Sequence, residues 1–253
     1  GKLFHRKSGK RVAAVMPVYT MGMPADMDRL REITDKYHLP LVADAAAAIG
    51  AKYKGRNIGA LADATVFSFN GNKTITCGGG GAVVGDNERI IELARHLAAT
   101  ARVGQDYEHD MVGYNYRMTN LQAAVGCAQI ERLEEFVARK RYISGYYKKH
   151  LKEIAGVTFF PETEWGESAC WFTGLVLDDT RDVREICGCL AKKDIRTKPF
   201  WQPVYMQKPY VQAERSGMDV TEKLWKHILP LPASTCLTDE QLEDVVMAVK
   251  EIL

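Results

Sequence analysis

Short apolar runs that each stop at a polar residue recur through the first two thirds of this 253-residue chain, with helical periodicity between them. Val12-Ala-Ala-Val-Met-Pro-Val18 reads as a buried strand, because it is short, apolar and rich in β-branched residues. Pro24 and Asp26 open a helix from Ala25 to Tyr37, with Met27, Leu30, Ile33 and Tyr37 at helical spacing. Leu41-Val42-Ala43 is the next strand and ends at Asp44. Ala64–Phe69 and Ala82–Val84 are two more, and Asn87 caps a helix that runs to Thr100. Such alternation predicts an α/β fold with a mostly parallel sheet.

Thr119 to Ile154 reads as one long helix bridging two domains, with an apolar stripe from Leu121 to Val137. The pattern then changes. Trp171–Leu177 predicts a strand, and Thr180 caps a helix to Lys193. Short elements are expected at 197–200 and 228–232, and a last helix starts at Thr238. The expected division is a large domain at 1–150 with the long helix at its end, and a small domain at 151–253.

Composition narrows the function. A net charge of +2, from 34 basic and 32 acidic residues, offers no basic field for nucleic acid. No apolar run approaches the ~18–20 residues of a membrane span, and no export signal is recognisable. The six cysteines form no C-x-x-C pair and no zinc spacing, so they are expected to be reduced core residues of a cytoplasmic protein without a metal site.

Two features sit where α/β sheets bind ligands, at the carboxyl ends of strands. One is Asp44, followed by four alanines too small to screen its carboxylate. Capping the next segment is the competing role. The other is Ser68-Phe-Asn-Gly-Asn-Lys73-Thr-Ile-Thr-Cys-Gly-Gly-Gly-Gly81, a lone lysine between a strand end and four glycines. Glycine lets backbone approach a ligand, although a flexible hairpin would use the same residues. A phosphate-binding P-loop is disfavoured, because Asn72 separates Gly71 from Lys73 and the glycine run follows the lysine.

The lysine segment resembles the cofactor-lysine signature of the DegT/DnrJ/StrS-type nucleotide-sugar aminotransferases. Three further stretches resemble that family in order: Val15–Asp26, Ala43–Gly55 and Gly113-Tyr-Asn-Tyr-Arg-Met118. The resemblance runs from Val12 to the C-terminus. It implies a pyridoxal-phosphate (PLP) transferase of fold type I with a smaller α+β C-terminal domain, acting as a homodimer. It implies Lys73 as the covalent anchor and proton carrier, and Asp44 as the anion at the pyridine nitrogen. Ser68 is expected at the cofactor phosphate, and Asn115 at the phosphate held by a second subunit. Arg117 and Trp201 are expected at the substrate, with a structural ion pair as the competing role for Arg117. Asn70-Gly-Asn72, Gly79, Ile195–Trp201 and Leu229–Pro232 are similar to one branch. That branch moves an amino group from glutamate to C4 of a UDP-linked 4-keto-6-deoxy-N-acetyl sugar.

Departures from the family accompany the resemblance. Ala47 stands where a Gln or Glu is usual, and Tyr19 where a His is usual. Family members are well over a hundred residues longer at the N-terminus, which implies a truncated chain whose sheet lacks cover. A non-catalytic fragment or interaction subunit of the same fold is therefore the alternative. A 3-keto-sugar enzyme is a further one. A sugar dehydratase of the family would replace the lysine by histidine, which Lys73 opposes. Trp171 and Trp225 are expected to be core.

Overall fold

The computed structural model describes residues 2–253. The chain divides into two compact units: the chain up to Ala138 together with Glu162–Trp171, and Arg139–Pro161 together with Phe172–Leu253.

In chain order, the first unit opens with helix α1 (Met27–Tyr37). Asp26 caps α1 by accepting the Arg29 N–H, and Tyr53 donates its hydroxyl to the same carboxylate at 3.1 Å. His38 ends it in the left-handed conformation. Strands β1 (Val42–Asp44), β2 (Lys52–Tyr53), β3 (Arg56–Asn57), β4 (Ala64–Ser68) and β5 (Gly81–Val84) follow, then α2 (Glu88–Ala98), β6 (Arg102–Val103), β7 (Glu108–His109) and α3 (Asn120–Ile130). β1 pairs parallel with β4, setting Asp44 opposite Val66, and β4 pairs antiparallel with β5. The parallel character is thus confined to one side of β4. Residues 12–18 add two parallel bridges to this sheet, Val15 to Leu41 and Val18 to Asp44, instead of the buried strand expected. Met16 and Val18 are more than half exposed, so one face of this edge is open.

The core of this unit packs Tyr19, Met27, Leu41, Ala43, Tyr53 and Ile58 with small alanines from 45 to 62. Small residues bring the backbone close at Gly50, where a Cβ would meet the Val137 side chain.

The long helix expected from Thr119 to Ile154 is two. Thr119 and Gln122 form a reciprocal capping box on α3. The helix stops because the Arg132 N–H turns back to the Gln129 carbonyl, a three-residue turn, and Arg132 then pairs with Glu135 at 2.7 Å. Helix α4 (Leu133–Leu151) starts there, and the division between the units falls inside it.

After β8 (Val157–Thr158), β9 (Gly166–Glu167) pairs with β2 of the first unit. The second unit continues with β10 (Thr173–Leu177), α5 (Val183–Ala191), α6 (Asp219–Leu224), β11 (Ile228–Leu231) and α7 (Asp239–Ile252). Its antiparallel sheet runs β11–β10–β8. Ile143, Tyr147 and Leu151 of α4 pack there with Leu175, Leu190, Leu229, Leu242 and Val249. Asp182, rather than Thr180, caps α5, because Thr180 bonds to Asp178 instead. Thr238 caps α7 with a second capping box, as its sequence predicts. Residues 197–200 carry no regular element.

The cysteines depart from a core set. Cys77 and Cys187 are buried, while Cys127, Cys189 and Cys236 are exposed. Among the described residues no helix is long and apolar enough to cross a membrane, and no three His, Cys, Asp or Glu side chains gather as a metal site.

Candidate active site

Parallel pairing of β1 with β4 places Asp44 and Ser68 at the same carboxyl-end edge of the sheet. The Asp44 backbone is clamped from one side: its N–H bonds to the Pro17 carbonyl, and its carbonyl accepts from Tyr19, both at 2.9 Å. Its Oδ1 accepts the Ala46 N–H at 3.0 Å. This local turn fixes the half-buried carboxylate.

The loop after β4 folds on itself. Phe69 accepts from the Cys77 N–H at 2.9 Å and from the Thr76 hydroxyl at 3.2 Å, and the Phe69 N–H reaches the Gly80 carbonyl at 3.0 Å. The Lys73 N–H closes a turn onto Asn70 O at 3.0 Å. Gly78 and Gly80 have φ of +76° and +84°, which L residues adopt only under strain, and a Cβ on Gly81 would run into the Phe67 carbonyl. The glycine run therefore serves a built loop rather than a flexible one. The Ser68 hydroxyl accepts the Asn70 N–H at 3.3 Å and retains its proton for donation.

Lys73 is half-buried. Burial pushes its amine below the ordinary lysine value, and the Asp44 charge acts in the opposite direction. Asp44 and Lys73 thus share one electrostatic environment. Lys73 Nζ lies 3.7 Å from the centroid of the Trp171 ring, and the Trp171 Nε1–H donates to the Asn72 carbonyl at 2.7 Å. Trp171, expected as core, is buried against this lysine. Its sequence signal is only an aromatic at the start of a strand, so the contact was invisible without the fold.

Asn115 is exposed in a stretch held against the end of α2, with the Tyr114 N–H on Leu97 O at 2.6 Å and the Tyr116 N–H on Ala98 O at 2.9 Å. Gly113 permits this, since a Cβ there would overlap the Thr100 backbone. Arg117 lines an open cavity of about 560 Å³ with Glu92, Arg95, His96 and Ala99. Trp201 belongs to the second unit, edge-on to Phe172 and tilted against Phe200, with ring centroids at 5.1 and 4.8 Å. Tyr19, in the usual place of a histidine, is fully buried, and burial raises its hydroxyl above the ordinary tyrosine value. It is a packing residue. The Ala47 carbonyl packs beside Gly22, where a Cβ would approach to 2.9 Å.

Residues 5–250 match the DegT/DnrJ/EryC1/StrS aminotransferase family. The chain belongs to that family. EpsN of Bacillus subtilis, named as a pyridoxal phosphate-dependent aminotransferase, is 38% identical over 247 residues, which is 95% of this chain and 63% of EpsN. GDP-perosamine synthase of Vibrio cholerae is 35% identical over 251 residues, 97% of this chain and 68% of that enzyme. Helicobacter pylori PseC, an aminotransferase involved in the biosynthesis of pseudoaminic acid, superposes with a TM-score of 0.89 at 22% identity, over 96% of this chain and 67% of PseC. That likeness shows the fold, the α/β architecture of the PLP-dependent transferases of fold type I. The chain spans 63% of the length of EpsN.

The donor set fits pyridoxal phosphate. A carboxylate at one strand end, a hydroxyl at the next and a half-buried amine in the loop that follows are the donor types a ring nitrogen, a phosphate and an aldehyde carbon call for.

Proposed function

We propose that this chain carries the catalytic lysine and acid of a PLP-dependent aminotransferase. In this reading it moves an amino group from glutamate to C4 of a UDP-linked 4-keto-6-deoxy-N-acetyl sugar. The observation that carries the reading is a half-buried Lys73, in the loop after β4, whose amine is acted on by the Asp44 carboxylate at the neighbouring strand end of a family fold. The choice of a 4-keto sugar on UDP rests on the resemblance of Asn70–Lys73 and Ile195–Trp201 to that branch. GDP-perosamine synthase, among the relatives, makes a GDP-linked product by name, so the nucleotide is the point to test.

Bound pyridoxal phosphate supplies an electron sink that lets a C–H bond beside nitrogen ionise. Asp44 would hold the ring nitrogen of the cofactor and favour its protonated form. Lys73 Nζ would hold the cofactor at its aldehyde carbon. As a free amine, Lys73 would take the proton from the α-carbon of glutamate and deliver one to C4 of the sugar. Its proton affinity, lowered by burial, favours the free amine that takes up a proton. Ser68 donates its hydroxyl to the phosphate. Arg117 and Trp201 are each assigned to the substrate by the family resemblance.

Asn115 is assigned to the phosphate of a second copy, which makes the working unit a homodimer. The exposed apolar surface beside it supports this. No residue of α3 is buried, and Leu121 is 82% exposed. Helices that apolar are covered in a working assembly.

The test is borohydride reduction of the protein with pyridoxal phosphate, followed by peptide mass mapping and by assays with UDP-, GDP- and dTDP-linked 4-keto sugars. A reduced adduct on Lys73 and glutamate-dependent amination of the UDP sugar are the expected results. An adduct on another lysine defeats the site assignment. Preference for a GDP or dTDP sugar defeats the substrate assignment alone.

A further inference from the structure

We propose that Trp171 is a positioning residue for Lys73: its indole face holds the lysine amine, and its Nε1–H ties down the loop that carries it. The inference deepens the reading of Lys73 as the cofactor lysine and takes its catalytic meaning from that reading.

Two independent contacts carry it. The Lys73 Nζ lies 3.7 Å from the ring centroid, well inside the ~6 Å at which a cation is attracted by an aromatic face. The same ring donates from its edge to Asn72 O at 2.7 Å, one residue before the lysine and 99 residues earlier in the chain. One side chain thus fixes both the backbone beside Lys73 and the head of its side chain. Trp171 is itself held, with 7% of its surface exposed. The segment leading to it is pinned by the pairing of β9 with β2 and by the Ala169 N–H on the Gly22 carbonyl at 3.0 Å. A lysine stem has four rotatable bonds and is expensive to order. A ring over the ammonium selects one arrangement before any ligand arrives.

The same contact bears on proton affinity. Burial disfavours the Lys73 ammonium, and the Asp44 carboxylate is the charged group that acts on it in the opposite sense. The indole face adds to the side of Asp44, because its negative face favours the charged form. Trp171 therefore restrains the fall in the Lys73 pKa as well as placing the amine.

The test reads Lys73 in the protein without cofactor. Trace labelling with acetic anhydride across pH, quantified on the Lys73 peptide, gives the midpoint of its amine. Trp171→Leu keeps apolar bulk and removes the ring face. It should lower the midpoint by about half a unit, the equivalent of a cation–π contact at a half-exposed site. Trp171→Phe keeps a ring and should hold the midpoint close to that of the parent. Both variants lose the bond to Asn72, so both should speed amide exchange in the 69–77 peptide. An unchanged or raised midpoint in Trp171→Leu overturns the proposal, as does unchanged exchange in both variants. If Trp171→Leu does not fold, replacing the tryptophans by 5,7-difluorotryptophan keeps the shape and the N–H while weakening the ring face. The midpoint should then fall, and an unmoved midpoint overturns the proposal. Borohydride trapping of pyridoxal phosphate in the parent protein is scored separately. Failure to trap on Lys73 removes the cofactor reading and leaves the Trp171–Lys73 coupling to stand or fall on the labelling.

Discussion

Burial, the Asp44 carboxylate and the Trp171 ring act on Lys73 in opposing directions, and this makes its titration the sharpest quantity to measure. Burial lowers the midpoint below the ordinary lysine value, while the Asp44 carboxylate raises it. Asp44→Asn removes the negative charge and leaves the burial, so the ammonium loses support and the midpoint falls further. Acetylation of the Lys73 peptide as a function of pH checks the direction, and a rise would contradict the pairing. The sign carries over to stability. The folded protein holds this proton less tightly than the unfolded chain, so the cost of the charged form is present below the folded midpoint. It is relieved as pH rises through the folded midpoint towards 10.5. Lys73→Met, which has no proton to lose, should remove this relief from the pH dependence of urea unfolding. Asp44, Ser68 and Lys73 were all legible in the sequence, because each marks the end of an apolar run or the entry to a glycine run. Trp171 was not, because an aromatic at a strand start has the same pattern whether it faces other apolar groups or an amine.

At the scale of elements, legibility followed the strength of the local end signals. Asn87, Thr119 and Thr238 all cap helices, because a side-chain oxygen followed by an apolar period leaves few alternatives to the backbone. The break between α3 and α4 carried no Gly or Pro. It arises from a tightened turn at Arg132, a tertiary choice that helical periodicity passes straight through. The apolar pattern was equally silent about residues 12–18, which are apolar as a buried strand is, yet none of them is buried at the edge of the sheet. Thr119→Ala removes the hydroxyl arm of the α3 capping box, leaves the Gln122 side chain on the residue-119 N–H, and should cost about 1 kcal/mol in chemical denaturation. Gly81→Ala tests the loop instead. The added Cβ meets the Phe67 carbonyl on the neighbouring strand, so the β4–β5 pairing must open, at a cost of about 1–3 kcal/mol. The same substitution should slow cofactor trapping on Lys73, since the loop that carries the lysine hangs from that pairing.

At the scale of the whole molecule, the division of labour between copies is the feature most open to a decisive experiment. Asn115 is exposed and lies beside a helix with no buried residue, whereas Lys73 is half-buried under Trp171. If Asn115 serves the phosphate held by a second copy, each working site draws Lys73 from one chain and Asn115 from the other. Lys73→Ala should then trap no cofactor under borohydride, and Asn115→Ala should trap little at limiting pyridoxal phosphate. Mixing the two and allowing subunits to exchange yields hybrids in which one site has both residues and the other has neither. Random reassortment makes half of the dimers hybrid, each with one complete site of two, so trapping should recover to about one quarter of the parent level. If Asn115 instead served its own chain, every site in the mixture would lack one residue and no recovery would occur. Dilution should abolish the recovered fraction, because it depends on association. Leu121→Glu should abolish it too, since a charge on the exposed face of α3 opposes burial of that face between copies. Recovery that survives both treatments would place the shared contact elsewhere than α3.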